Sequence, residues 1–171
     1  MLKEEMKGLM IRYPKLCSDG IGVGWPGQLT TSERSRRFLI SRVRLSESLM
    51  FPALARWWMI EKPKTKSIET SALVDRRPDS MNLVNLLFDQ TGVQLTAGEF
   101  IVGAILAGFS IRNLKWDQPH VAFNVSLKSI PGICDFRHYQ KRERSANLRA
   151  IVERHQDSDP EAAAYLLANL A

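Results

Sequence analysis

The chain has 171 residues, of which 44% are hydrophobic and 25% charged, a composition typical of a folded protein with its own core. The N-terminal residues mix charged and apolar side chains, and no apolar run reaches the roughly 18 residues of a membrane span. We therefore expect a cytoplasmic protein without a membrane partner. The net charge of +6 favours a polyanionic partner.

The first segment predicts a helix followed by a glycine-rich turn. Apolar residues recur at helical spacing over residues 2–13, and Pro14 ends the pattern. Residues 18–27, SDGIGVGWPG, predict irregular backbone in a tight turn that buries Trp25. Their glycine spacing differs from that of a phosphate-binding loop, so we expect no nucleotide site here.

Thr30 and Glu33 have the spacing of a capping box, which predicts a helix through about Arg44. One side of this helix would carry three aliphatic residues that face the core: Leu39, Ile40 and Val43. The residues RFLISRVRL also alternate in polarity, so a strand remains an alternative. We favour the helix because of the capping box.

Residues 51–60, FPALARWWMI, predict a second apolar helix with Pro52 in its first turn. Trp57 and Trp58 are adjacent, so we expect one in the core and the other partly exposed, where it can meet a partner. Residues 61–80 are polar and twice interrupted by proline, as in a linker or a long surface loop.

The central stretch predicts a buried helix and then a β-hairpin. A short helix over 81–89 closes at Thr91-Gly92, and a second capping box starts LTAGEFIVGAILAGF, residues 95–109. That helix is apolar on every side, so it is buried in protein, and its small residues permit close packing. Residues 109–114 and 120–127 alternate in polarity and predict a hairpin. Pro119 and this hairpin disfavour a helix-turn-helix, whereas a winged helix remains an alternative.

The C-terminal part predicts a basic helix over 137–155 and a last helix that starts at Asp159-Pro160. The last helix would dock through Tyr165, Leu166 and Leu170.

The predicted fold is an α+β, mostly helical single domain, with a β-hairpin or small antiparallel sheet packed on a buried central helix. The predicted divisions are a helical segment (1–62), a linker or long loop (63–80), and a helix-hairpin core with basic C-terminal helices (81–171).

Cysteine and histidine offer little chemistry. Cys134 and His138 form one C-x-x-x-H pair, whereas Cys17 and His120 stand apart, and structural zinc sites use two close pairs. A cysteine nucleophile would also need an orienting group and an oxyanion site. We therefore expect reduced cysteines, no metal, no cofactor and no catalytic residues, that is, a protein that is not an enzyme.

Basic residues cluster outside the centre of the chain. Residues 34–44 contain five arginines and no acid, and residues 137–154 contain six bases against Glu143 and Glu153. Residues 78–111 contain no lysine or arginine. Such runs are often solvated faces, but they also contact phosphates. The predicted nucleic-acid-binding residues are Arg34, Arg36, Arg37, Arg42, Arg44, Trp116, Arg137, Lys141, Arg142, Arg144 and Arg149.

These residues predict a non-enzymatic DNA- or RNA-binding protein or a small subunit of a nucleoprotein complex. The alternative is a protein–protein interaction module, an inhibitor or adaptor, anchored by Trp57, Trp58 and Trp116.

Residues 79–130, which contain LTAGEFIVGAILAGF and then PHVAFNVS, resemble small uncharacterised proteins of bacterial phages and plasmids. The resemblance covers about a third of the chain and carries no established activity. It implies the context of a mobile genetic element, its replication, or its conflict with host defence.

Overall fold

The computed structural model describes residues 2–22, 30–68, 78–114, 119–126, 128 and 140–169. The α-helices in this part are α1 (Leu2–Arg12), α2 (Thr31–Glu47), α3 (Met50–Ile60), α4 (Ser80–Thr91), α5 (Ala97–Leu106), α6 (Lys141–His155) and α7 (Pro160–Ala168). The strands are β1 (Leu16–Cys17), β2 (Gly20–Ile21), β3 (Ile111–Asn113) and β4 (Val121–Phe123), and they form the antiparallel pairs β1–β2 and β3–β4. The protein is therefore a mostly helical α+β single domain, as the sequence predicts.

Two helices begin at capping boxes. The Thr30 hydroxyl accepts a hydrogen bond from the Glu33 amide at 3.3 Å, and the Glu33 carboxylate accepts from the Thr30 amide at 2.7 Å. Thr96 and Glu99 make the same two bonds at 3.3 and 2.7 Å. Both predicted helix starts are confirmed. The strand alternative for the arginine-rich segment is wrong, because the capped helix α2 runs through it.

Helix α5 is the buried centre of the fold. All residues from Gly98 to Ala104 are buried, and α3 is its main packing partner. A Cβ atom on Gly103 would lie 2.5 Å from the Ala55 Cβ and 2.5 Å from the Pro52 carbonyl oxygen. The two helices approach so closely because position 103 has no side chain. The predicted buried helix and its close packing are confirmed.

The β3–β4 hairpin packs on α5. Ile111 pairs with Phe123 and Asn113 with Val121. Val121 and Phe123 are fully buried, and the Phe123 ring meets the Phe100 ring edge-to-face at 5.7 Å. Strand β3 begins soon after α5 ends, which leaves no space for a recognition helix between them. The predicted hairpin is confirmed, but the predicted alternation fails in β4, because Ala122 is as fully buried as its two neighbours. Residues 115–118 of the predicted loop 115–119 lie outside the described residues.

Trp57 and Trp58 are both buried, with 3% and 1% of their surface exposed. The prediction that one of them is partly exposed is wrong. Neighbouring helical side chains point about 100° apart, and α3 is covered by α5 as well as by α6 and α7. The Trp57 indole N–H donates to the Ser158 hydroxyl at 2.9 Å, and that of Trp58 donates to the Gln90 side-chain oxygen at 2.8 Å.

The buried side of α2 is also not the predicted one. Leu39, Ile40 and Val43 are 62%, 45% and 55% exposed. The helix instead buries Ser41 and Leu45 and rests mainly on α1 and β1. The Ser41 hydroxyl lies 2.6 Å from the Ser18 hydroxyl, which makes a polar contact that hydrophobic periodicity does not reveal.

The C-terminal helices begin near their predicted positions. Gln140 and Glu143 cap α6 reciprocally, and the Asp159 carboxylate caps α7. Helix α7 buries Leu166 as predicted, together with Ala162 and Ala163. Tyr165 contacts α3, as predicted for the docking side, because its ring meets the Phe51 ring edge-to-face, although it stays 45% exposed. Leu170 lies outside the described residues.

The predicted segments 1–62 and 81–171 contribute to one hydrophobic core, in which α3 contacts α5, α6 and α7. The predicted irregular backbone over 18–27 is interrupted by strand β2, which pairs with β1 just before this segment, and Trp25 lies outside the described residues. Residues 69–77 of the predicted linker also lie outside them.

Candidate nucleic-acid interface

The arginines of α2 divide into exposed and packed groups. Arg36 and Arg44 are exposed, and neither forms an ion pair with another described residue. Arg37 is about half exposed, and its Nε lies 3.2 Å from the Asp19 carboxylate. Arg34 is partly buried. Only part of the predicted arginine run is therefore available to an external anion.

Arg42 holds α2 against the end of α1. Its guanidinium donates to the carbonyl oxygens of Met10 at 2.6 Å, Pro14 at 2.8 Å and Leu16 at 2.9 Å. The last carbonyls of a helix lack partners within the helix, and a cation at this end also suits the helix dipole. Because its donors are used in this way, we remove Arg42 from the predicted phosphate-binding set.

Arg144 fastens α6 to α4. Its guanidinium carbon lies 5.2 Å from the centre of the Phe88 ring, and Nη2 is 3.6 Å from the Asp89 carboxylate. Its Nε is buried and has no hydrogen-bond partner. These contacts make Arg144 part of the packing between two helices, so we remove it from the predicted set as well.

Three cations remain on the solvent side of α6. Lys141, Arg142 and Arg149 are exposed and form no ion pair with another described residue. Arg142 and Arg149 are two turns apart and therefore lie on the same side. The nearby Glu143 carboxylate accepts the Gln140 amide at 2.9 Å, in the capping box.

The two basic helices have different main packing partners. Helix α2 rests mainly on α1 and β1, whereas α6 contacts α3, α4 and α7. The predicted site residues Trp116 and Arg137 lie outside the described residues, as do Cys134 and His138. The structure thus brings together Lys141, Arg142 and Arg149 on one helix and Arg36 and Arg44 on another.

One polar cluster has no signal in the sequence, because its members are far apart along the chain. The Ser80 hydroxyl lies 3.3 Å from His120 Nδ1, and the neighbouring Asp79 carboxylate accepts the Asn82 amide. Serine, histidine and aspartate together suggest nucleophilic catalysis. However, Ser80 is fully buried and its oxygen accepts the Val121 amide at 3.3 Å, so this geometry supports a structural role for the cluster.

Lys62 is the one lysine in the described part of the chain whose pKa is shifted from its usual value. Burial lowers the pKa of Lys62, while Glu61 beside it acts in the opposite direction. Its ammonium lies 4.7 Å from the centre of the Trp58 ring, an arrangement that favours the charged form. These contacts connect Lys62 to the core rather than to the exposed cations of α6.

No protein-family model matches the chain, and no curated protein or solved structure is significantly similar to it. Within the described residues, histidine, cysteine and carboxylate side chains form no group of three or more that could bind a metal ion. None of the helices described there combines the length and the hydropathy needed to cross a bilayer.

Proposed function

We propose that the protein binds nucleic acid non-enzymatically, alone or as a small subunit of a nucleoprotein complex, through the solvent side of α6. The observation that carries this proposal is the group of exposed cations Lys141, Arg142 and Arg149, with no ion-pair partner among the described residues. Lysine and arginine in this state bind phosphates and release counterions. The net charge of +6 supports approach to a polyanion.

The contacts of the other bases make α6 the better candidate surface. Arg42 and Arg144 are used in packing, Arg37 is paired with Asp19, and Arg154 lies 2.9 Å from Glu61. Arg36 and Arg44 are free of such pairs but lie beside exposed aliphatic side chains, which gain nothing from a phosphate. Phosphate contacts carry no base information, so we expect little sequence preference from α6.

The proposal extends to biological context through the resemblance of residues 79–130 to proteins of phages and plasmids. A nucleic-acid-binding subunit of a mobile element would act in replication or in conflict with host defence.

The test is fluorescence anisotropy with labelled single-stranded DNA, duplex DNA and RNA over a series of salt concentrations. We expect affinity to fall steeply with salt, with a logarithmic slope of about −0.9 for each phosphate neutralised on duplex DNA. The variant Lys141→Ala/Arg142→Ala/Arg149→Ala should reduce the size of this slope by roughly three, because each lost contact removes about one.

The matched control is Lys3→Ala/Arg12→Ala/Lys15→Ala, which removes three exposed positive charges from the N-terminal part of the chain. This control changes the net charge equally and should keep most of the slope. An equal loss of affinity in both variants would show a non-specific effect of net charge. Absence of binding at low salt would remove the proposal.

A further inference from the structure

The solvent side of α2 carries an aliphatic stripe formed by Leu39, Ile40 and Val43. At about 100° per residue, these side chains fall on one side of the helix, opposite Leu45. They occupy positions i+3, i+4 and i+7 of the i, i+3, i+4, i+7 pattern by which helices bind other helices, with Arg36 at position i. Single exposed aliphatic side chains are common on protein surfaces, whereas several adjacent ones are typical of an interaction surface.

The stripe has a cationic border. By the same helical geometry, Arg36 lies within the stripe, and Arg37 and Arg44 lie along one flank. A shallow cavity of about 350 Å³ opens beside Ile40 and is lined by these three arginines, by Asp19, which pairs with Arg37, and by Glu33. No acidic residue occurs from position 34 to 44, and Glu33 and Glu47 lie towards the two ends of the helix. The surface therefore combines three exposed aliphatic side chains with Arg36 and Arg44, which form no ion pair with another described residue.

We propose that this side of α2 binds an acidic amphipathic helix of a partner protein. Apolar side chains of the partner would pack on Leu39, Ile40 and Val43. Its carboxylates would meet Arg36 within the stripe and Arg44 on its flank, which have no ion-pair partner among the described residues. Charge complementarity selects this partner, because the border is cationic and arginine pairs strongly with carboxylates. The site is separate from α6 and does not depend on nucleic-acid binding.

A second copy of this chain is a poor occupant. In a two-fold symmetric contact, if a residue of one copy meets a second residue of the other copy, that second residue of the first copy also meets the first residue of the other. If two α2 helices pack antiparallel about Ile40, Arg36 of one copy faces Arg44 of the other. The same arrangement places Glu33 opposite Glu47. Like charges would thus meet at both pairs of positions, which disfavours self-association through this surface.

A lipid surface fits the surroundings of the stripe less well than a protein does. Helices that lie in a membrane interface usually carry bulky apolar side chains along a wide face, whereas this stripe has three aliphatic residues. Nucleic acid would leave the stripe exposed to water.

The test uses two synthetic helical peptides that share leucines at i, i+3, i+4 and i+7. One carries glutamates along a flank of the leucines, and the other carries lysines at the same positions. Binding to the full chain is measured by calorimetry. Sedimentation of the protein alone reports self-association, and flotation with vesicles of phosphatidylcholine and phosphatidylglycerol reports lipid binding.

We expect the glutamate peptide to bind and the lysine peptide to bind at least roughly tenfold more weakly. Leu39→Ala/Val43→Ala should lower the affinity for the glutamate peptide at least roughly tenfold, which is the range of an interface hot spot. Arg36→Glu/Arg44→Glu should reverse the preference between the peptides. Circular dichroism should show the same helix content for these surface variants as for the unmodified chain.

The matched control is Ile11→Ala/Ile60→Ala, which removes two exposed aliphatic side chains from other helices and should leave binding unchanged. Lys141→Ala/Arg142→Ala/Arg149→Ala should also bind the glutamate peptide normally, which separates this surface from the nucleic-acid proposal. Binding that ignores peptide charge, or no binding of either peptide, overturns the inference. The inference is also overturned if the protein self-associates or binds vesicles and Leu39→Ala/Val43→Ala abolishes this. The surface would then bind a second copy of the chain or a lipid surface, respectively.

Discussion

Helices α2 and α5 start with the same capping box and end in opposite environments. Each begins at a threonine whose hydroxyl accepts a hydrogen bond from the amide of the glutamate three residues later. In each box the glutamate carboxylate accepts a hydrogen bond from the threonine amide at 2.7 Å. Helix α5 then buries every residue from Gly98 to Ala104, whereas α2 buries only Ser41 and Leu45. The box determines where a helix begins. The elements around the helix determine what it contributes to the fold.

The difference in burial means that apolar residues of α5 serve the stability of the fold, whereas those on the outer side of α2 are available for the proposed partner. Apolar side chains of α5 are removed from water by α3, α4 and the hairpin, so they stabilise the fold. The apolar side chains on the outer side of α2 remain largely exposed, so we expect them to contribute little to the stability of the fold. The same residue types therefore have different consequences when they are substituted in the two helices.

The largest expected difference comes from deleting one apolar side chain in each helix. Phe100→Ala should lower the free energy of unfolding by about 4 kcal/mol, because the ring is fully buried between Trp58 and Phe123. Leu39→Ala should change it by less than about 0.5 kcal/mol, as for other exposed sites. Urea denaturation followed by circular dichroism measures both. A large loss in Leu39→Ala would mean that the outer side of α2 is covered in the folded chain.

A smaller effect is expected from adding a methyl group at glycine. Gly103→Ala should destabilise the fold by about 3 kcal/mol, since the new Cβ would lie 2.5 Å from the Pro52 carbonyl oxygen and 2.7 Å from the Arg56 amide nitrogen.

Gly8→Ala is the control for this substitution. Position 8 lies within α1, and a Cβ there would meet no atom within 4 Å. The control should be more stable by about 0.5 to 1 kcal/mol because alanine favours the helix. Equal effects at the two glycines would contradict the close contact between α3 and α5.

The smallest effect concerns the exposed capping box. Hydrogen bonds from the Thr30 hydroxyl and then from its amide lower the pKa of Glu33 below its usual 4.5. In the unfolded chain this carboxyl takes up its proton first as pH falls. The contribution of Glu33 to the stability of the folded chain is therefore complete above pH 4.5, and it is lost as the pH falls through the lowered pKa. Thr30→Ala should make the melting temperature less dependent on pH below about 4.5 than it is in the unmodified chain. Identical pH dependence would show that the box does not stabilise α2.

The sequence predicts helix starts well because the signals are local. Thr30, Thr96 and Asp159 each cap the helix that follows, and Gly92 ends α4 with a positive φ of 74°. Each of these signals involves residues within one or two turns, so no tertiary information is needed. The buried central helix was also predictable, since a short helix that is apolar on every side must be covered by protein.

The sequence does not predict which side of α2 faces the core, because the decisive contacts connect distant residues. Ser41 meets Ser18, and Arg42 donates to the carbonyls at the end of α1. Hydrophobic periodicity treats serine and arginine as surface residues, so it selects the aliphatic side instead. Arg144 was assigned to the surface for the same reason, although it lies over the Phe88 ring. Arginines with structural and external roles look alike in a sequence.

The bonds from Arg42 to Met10, Pro14 and Leu16 also have a consequence for the speed and cost of recognition. They give α2 a rigid attachment to α1 before any ligand arrives. A ligand that docks on α2 meets a preorganised surface, so little further conformational entropy is lost on association. If a partner docks on α2 as proposed, we expect association to need no prior folding of this helix and to be accelerated by the field of the surrounding arginines.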